Sequence, residues 1–418
     1  MKSRIAFIIL ALLLVFALAL TACGGAAPPE EAQAPAATAA QPAAPAATQA
    51  PQPAATEAPA PVATEAPAPA ATEASAPAAT EAQPAASTGV EPAKDIVIYH
   101  WAEYIDPAIY DQFEQETGIH ITEDNFSNNE ELLAKLQGGA TGYALIVPSD
   151  YTVSIMKEEN LLAKLDKANV PNLKNLSDQF KNVPYDPGNE YCSPYQWGTT
   201  GLAWLDGEVD PPDSWAVLFD PDPNSPAYGR TTMLDDVREG FAAALSYLGY
   251  DINTQDEAQL QEARDLLIKA KAGLSGYDSD TFEDLLASGE NLMAHGWNGD
   301  FLVAQEDNEN IMYTIPKEGG VIWVDNICIP ASATPEEKLA GEMFINYLLQ
   351  PDIGAQLSEW NYYASPNAAA EANLDPEFLN DPAVYPPQEV RDKLQYIRPV
   401  GEAESTYQRL WDEVKAAP

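Results

Sequence analysis

Cysteine and histidine are nearly missing from this 418-residue chain, with three of each. Cys23, Cys192, Cys328, His100, His120 and His295 show no metal-site spacing, and the histidines have no evident catalytic partners. A structural zinc site, a thiol nucleophile and a Ser-His-Asp centre therefore find no support. Positive charge is also scarce, with 21 Lys and Arg against 64 Asp and Glu. Seven of the acids and three of the bases precede Asp95, so residues 95–418 hold 57 against 18, a net charge near −39. Such a chain repels phosphate backbones, which excludes nucleic acid as a partner, and attracts cations. Most of that charge reads as solubilising surface. A glycine-rich nucleotide fingerprint is absent as well, and no cofactor is implied.

The one long apolar run lies at the start, in "MKSRIAFIILALLLVFALALTAC". Lys2 and Arg4 precede Ile5 to Leu20, and Leu20-Thr21-Ala22-Cys23 closes it. A basic segment, an apolar segment and small residues before a cut describe a secretory signal, here residues 1–22. The run is only marginally long for a transmembrane anchor. Residues 23–94 reduce to Ala, Pro, Thr, Glu and Gln, with Thr-Glu recurring at Thr56, Thr64, Thr72 and Thr80. Almost nothing there can be buried, so a disordered, Pro-stiffened tether is expected, with threonines able to carry sugars.

Residues 95–418 alternate strand and helix patterns. "DIVIYHWAEYI" reads as a strand running into a loop, "PAIYDQFEQETG" as a helix stopped by Gly118, "IHITEDNF" as a strand, "NNEELLAKLQGG" as a helix and "YALIVPSD" as a strand. That order marks a parallel α/β unit. "QLQEARDLLIKAKAG" and "TPEEKLAGEMFINYLLQ" have helical periodicity; "ENLMAHGW" and "NIMYTIP" lead into "GGVIWVDNICIP", and "PPQEVRDKLQYI" and "AESTYQRLWDEVKAA" read as closing helices. The expectation is an α/β protein of two lobes with a ligand cleft between them. Cys192 and Cys328 both sit in strand-like contexts; the residues leave a disulfide and two buried thiols equally open.

Aromatic and acidic residues collect where strands end. Trp101, Glu103 and Tyr104 follow the first strand, Ser149 and Tyr151 the third, and Asp235, Asp236 and Glu239 lie in "TTMLDDVREGF". Trp297 and Asp300 share "HGWNGDF", and Trp323 and Asp325, two apart on a strand, present an indole and a carboxylate to one face. Loops at the carboxyl ends of parallel strands are where such folds bind ligands. A ring face attracts an alkylammonium by about 0.5–2 kcal/mol and a carboxylate adds a charge-assisted hydrogen bond. Taken singly, each of these tryptophans reads as core and each acid as solvated or as helix-capping.

"YHWAEYI", "ALIVPSDY", "YQWGTTGLAW", "DDVREGF", "GWNGD", "IPKEGGVIWVDNICIP", "INYLLQPD" and "YYASPN" occur in order, and together they resemble the periplasmic spermidine/putrescine-binding proteins of ABC importers. The likeness runs from about Asp95 to Lys415. It implies a type II periplasmic-binding-protein fold with lobe 1 near 95–198 plus 324–365, lobe 2 near 199–323 plus 366–418, and crossings near Gly198 and the "GGVIWVDNICIP" strand. It further implies a polyamine held by Trp101, Glu103, Tyr104, Ser149, Tyr151, Asp236, Glu239, Trp297, Asp300, Trp323, Asp325 and Tyr363, and delivery to membrane permease subunits by a monomer. "LTAC" likewise resembles a lipoprotein box, implying lipidation of Cys23 and retention on the outer face of the membrane.

The chain departs from the family at Ala102, where a hydroxyl residue is usual, at Ala144, where an acid is common, and near Ile397 and Arg398, where spermidine binders place a glutamine. Asp300 resembles putrescine binders and Asp236 spermidine binders. With no lysine opposite these acids, an open, hydrated cleft that closes on its ligand is expected. A two-carboxylate glycosidase, a receptor of the same fold for another cationic or small organic solute, and a tethered sensor or adhesin are the competing readings.

Overall fold

The computed structural model describes residues 89–418. The signal segment, Cys23 and the tether as far as residue 88 lie outside the described residues. Ala93, assigned by composition to the tether, donates its N–H to the Glu336 carbonyl at 3.0 Å.

Nine strands, β1 (Asp95–His100), β2 (His120–Asn125), β3 (Leu145–Ile146), β4 (Cys192–Leu205), β5 (Thr231–Met233), β6 (Gly276–Tyr277), β7 (Met293–Trp297), β8 (Ile311–Thr314) and β9 (Ile322–Cys328), are linked among the described residues. Their order is β2-β1-β3-β9-β4-β7-β5-β6, with β8 also on β4. Strands β1, β2 and β3 run parallel, as do β5, β6 and β7, whereas β9 and β4 run antiparallel to their neighbours. The sheet is therefore mixed, not purely parallel as the early strand-helix order suggests. The antiparallel strands come from the middle and the end of the chain.

Local chemistry accounts for the helices that frame the site. Helix α1 (Pro107–Thr117) starts with Pro in its first turn and Asp106 accepting from the Ala108 N–H, and it stops at Gly118 with φ 69°. Helix α2 (Asn129–Gln137) is capped by Asn128, and α3 (Asp150–Glu158) follows Ser149 directly. Helix α4 (Val237–Leu248) is capped by Asp236, and α5 (Asn298–Ala304) opens straight after Trp297. The expected "TPEE" start is a full capping box between Thr334 and Glu337, opening α6 (Pro335–Leu348). "PPQEVRDKLQYI", read as a helix, forms only one helical turn, Gln388–Arg391. Beyond it the chain extends, because Gln395 exchanges backbone hydrogen bonds with Gly320 and Ile322.

Strand β4 ties the molecule together. Its fourteen residues are all buried. From Cys192 to Thr199 it pairs with β9, and from Thr200 to Leu205 it pairs with β7 and β8. One apolar core surrounds β1 and α6, with Ile98, Phe113 and Phe344 fully buried. Another surrounds α4 and the closing helix α7 (Glu404–Ala416), with Trp215, Phe241 and Tyr407. Cys192 and Cys328 face each other across β4 and β9 with Cα atoms 4.4 Å apart and are joined as a disulfide. Antiparallel register makes them direct neighbours, which settles the alternative left open by sequence. No helix among the described residues is long and apolar enough to cross a membrane.

Candidate functional site

Strand β9 places Trp323 and Asp325 where β4 narrows. Gly198 lies opposite Trp323, and a Cβ built there would stand 2.6 Å from the indole Cζ2. Only glycine leaves the indole its place. Asp325 is 5% exposed and accepts two short hydrogen bonds, from the Tyr104 hydroxyl at 2.8 Å and the Ser149 hydroxyl at 2.6 Å. Asn129, the first residue of α2, orients Ser149: its Nδ2 donates to the Ser149 hydroxyl at 3.0 Å, and its Oδ1 accepts from the Ser149 N–H at 3.0 Å. Burial pushes the Asp325 carboxyl up to about 7, against the pull of the two hydroxyls.

Aromatic rings wall this carboxylate. Tyr363 meets Trp323 edge-on with centroids 5.1 Å apart and Tyr104 at 5.5 Å. Gly299 admits the Tyr363 ring, since a Cβ there would approach it to 2.6 Å. The Tyr363 hydroxyl lies beside Asp300, whose carboxyl burial pushes up to about 7; Tyr363 draws it down and Glu103 pushes it further up. Glu103 is exposed, with a left-handed φ of 49°, uncommon for a side-chain-bearing residue. Trp101 is fixed by its indole N–H, which donates to the Val147 carbonyl at 3.1 Å, and its ring meets Trp297 edge-on at 5.5 Å.

Trp297 leads to a second acidic group. The Thr200 hydroxyl, at the point where β4 changes partners, donates to Glu239 Oε1 at 2.9 Å, while Glu239 Oε2 is buried without a partner. Burial first and Asp236 second push the Glu239 carboxyl up to about 8, while Thr200 and the Trp297 indole pull it down. Asp236 spends Oδ1 on the backbone N–H groups of Arg238 and Glu239, both at 2.9 Å. The helix-capping reading of Asp236 is thus real geometry, compatible with a free second oxygen. Arg238, in the same motif, is fully buried; its Nη1 and Nη2 donate to Glu404, Asn253 and the Arg398 carbonyl, while Nε is buried without a partner.

Eleven of the twelve positions expected from sequence thus fall into two groups, one of Ser149, Asp325, Tyr104, Trp323, Tyr363, Asp300 and Glu103 and one of Trp101, Trp297, Glu239 and Asp236. Tyr151 belongs to neither group by these contacts, its hydroxyl donating to Glu130 at 3.2 Å and its ring lying 5.6 Å from Arg238. Asp235 points elsewhere, 2.5 Å from Lys415. The acids Asp325, Asp300, Asp236 and Glu239 form no ion pair among the described residues. They are shielded by hydroxyls, indoles and backbone, an arrangement suited to receiving a cation with an aliphatic body. Asp325, Asp236 and Glu239 are at most 5% exposed, so the open, hydrated arrangement expected of these acids is not the one seen.

Sequence reading passed over Asn129, Thr200, Glu130 and Glu283. Glu283 lies near Asp300 and Glu103, with Oε2 buried and unpartnered. Glu130 and Glu283 sit in first helical turns, where acids are ordinary, so sequence carried no signal for them. Two histidines are not partnerless: His100 contacts Glu123 at 3.1 Å and His120 contacts Glu114 at 3.0 Å. Strand pairing and a short loop create those contacts.

Residues 108–386 match the family described as bacterial extracellular solute-binding protein. The spermidine/putrescine-binding periplasmic protein of Escherichia coli (strain K12) is 36% identical over 324 residues, covering 77% of this chain and 91% of that one. The putrescine-binding periplasmic protein PotF of Escherichia coli (strain K12) is 34% identical over 341 residues, covering 77% and 92%. Among solved structures, the TpPotD lipoprotein of Treponema pallidum superposes with a TM-score of 0.66 at 31% identity, covering 77% of this chain and 99% of that one. The fold is the α/β type II periplasmic-binding-protein fold, and the chain belongs to the bacterial extracellular solute-binding proteins, in the group of the spermidine/putrescine-binding proteins of ABC transporters.

Proposed function

We propose that this protein is an exported polyamine receptor. It holds a linear di- or tri-ammonium chain between the Trp101, Trp297, Trp323, Tyr104 and Tyr363 rings and the carboxylates of Glu103, Asp236, Glu239, Asp300 and Asp325. The observation that carries this reading is Asp325: a buried carboxylate with two hydroxyl donors and no ion-pair partner among the described residues, set two residues from an indole. One ammonium would take the charge that burial opposes, and its methylenes would lie against Trp323 and Tyr363. The names of the relatives at 34–36% identity support the ligand class. Holding, without turnover, is the role.

The finer assignments follow from the same reading. Residues near Gly198, where β4 changes sheet partners, serve as a hinge between lobes at about 95–198 plus 324–365 and 199–323 plus 366–418. Closure presents one shape to the permease subunits of an ABC importer. Residues 1–22 are removed, Cys23 is lipidated, and the tether lets a monomeric receptor range from the outer face of the membrane. Calorimetric titration of ligand-stripped protein with putrescine, spermidine and spermine tests the core of this. One-to-one binding of at least one amine is expected; no heat from any of them, with the protein demonstrably folded, would overturn it.

A further inference from the structure

A cavity of about 230 Å³ lies between α2 and α3 on one side and α4 and α7 on the other. Its lining joins aliphatic and acidic side chains: Leu133, Ile155 and Val237 with Glu130 and Glu404, beside the Tyr151 ring. Glu130 accepts from the Tyr151 hydroxyl through Oε1, whereas its Oε2 is shut off from solvent without any partner. Charges around it do not balance. Among the described residues Arg238 is the cation beside Glu130, Asp236 and Glu404; it pairs with Glu404 at 3.0 Å and draws the other two carboxyls down without an ion pair to either. Burial first and Asp236 second hold the Glu130 carboxyl up near 8, so the two acids are close enough to feel one another. Val237 lines the cavity and directly follows Asp236, so the cavity adjoins the acidic end of the cleft.

We propose that this cavity is a second ammonium compartment, entered past Asp236, in which Glu130 receives the far amine of a linear tetra-ammonium chain such as spermine while Leu133, Ile155 and Val237 cover its methylenes. The inference rests on the polyamine reading above and deepens it, because it makes ligand length a property that this protein reads. Aliphatic walls beside a half-buried carboxylate with one unpartnered oxygen suit an alkylammonium; a hydrated metal ion would leave the apolar lining unused.

Titration of the full-length protein with putrescine, spermidine and spermine, alongside Glu130→Gln and Ser405→Trp, tests this. Glu130→Gln removes charge but keeps an oxygen for the Tyr151 hydroxyl. Ser405→Trp fills the exposed rim of the cavity without touching charge. Both variants should weaken spermine at least tenfold and leave putrescine within twofold of wild type, with unchanged thermal melts. Equal loss for both amines, or no loss of spermine in either variant, overturns the compartment while the polyamine reading stands. Absence of binding of all three amines to the wild type would fail that reading itself, and the compartment with it.

Discussion

Asp325 concentrates the chemistry of the cleft in one side chain. Replacing it with asparagine keeps the shape and an acceptor oxygen for one of the two hydroxyls but removes the charge. Truncating one member of a buried charge pair costs about 2–5 kcal/mol, so polyamine affinity of Asp325→Asn should fall about thirtyfold to several thousandfold. Affinity within threefold of wild type by calorimetry would discard the site assignment. The protonation of the same group sets a pH dependence. Burial lifts the carboxyls of Asp325 and Asp300 to about 7 and of Glu239 to about 8, above the ordinary carboxylate range near 4. The amine-free folded state therefore binds these protons more tightly than the unfolded chain. That stabilisation is complete below about pH 4 and is lost as pH rises through 7 to 8. Binding runs the other way, since an ammonium needs ionised partners: affinity should rise from pH 5.5 to 8 with release of protons. Titrations at both pH values check this, and a flat profile contradicts it. The Tm difference between wild type and Asp325→Asn should shrink in favour of the variant over the same interval.

At the scale of elements, α4 carries one residue that caps the helix and, in the proposed function, also receives the ligand. Asp236 caps the helix through Oδ1, and asparagine caps about as well as aspartate. Asp236→Asn should leave Tm within about 1 °C while weakening polyamine binding at least tenfold. Asp236→Ala should additionally cost about 0.5–2 kcal/mol of stability through the lost cap. Differential scanning fluorimetry and calorimetry on the pair separate the two roles; destabilisation of both variants to the same degree would deny the separation. Strands β4 and β9 are stapled by the Cys192–Cys328 disulfide, three residues past Asp325. Replacing both cysteines by alanine should lower stability by about 2–5 kcal/mol in denaturant melts. An unchanged midpoint would mean that the pairing of β4 with β9 needs no covalent support. Helix starts such as Thr334-Pro335 and stops such as Gly118 were legible because they rest on short-range chemistry. The tail helix "PPQEVRDKLQYI" was misread because Gln395 is drawn into extended pairing with Gly320 and Ile322, far away in sequence.

For the whole molecule, a net charge near −39 over residues 95–418 surrounds the proposed polyamine cleft. Such a field raises the encounter rate with a polyamine, and salt screens it, with a Debye length of about 10 Å at 0.1 M. Stopped-flow association should slow several-fold between about 20 and 300 mM salt while dissociation changes little; a rate indifferent to salt would assign the acids to solubility alone. Much of the candidate site was legible in sequence because its residues sit in dense motifs that mix rings and acids, as in "HGWNGDF" and "GGVIWVDNICIP". Glu130, Asn129 and Thr200 were not, because each looks ordinary in its own segment. They matter only through what lies across from them: Asp236, Ser149 and Glu239.

The sequence by itself determined the alternation of helix and strand, the acidity that excludes nucleic acid, and the pairing of Trp323 with Asp325 on one face, since these depend on periodicity and composition. The tertiary structure alone decided that Cys192 meets Cys328, that Asp325 lies between the Tyr104 and Ser149 hydroxyls, and that the tail helix is cut short. Those outcomes depend on strand register and close packing between segments more than seventy residues apart, which no local pattern encodes.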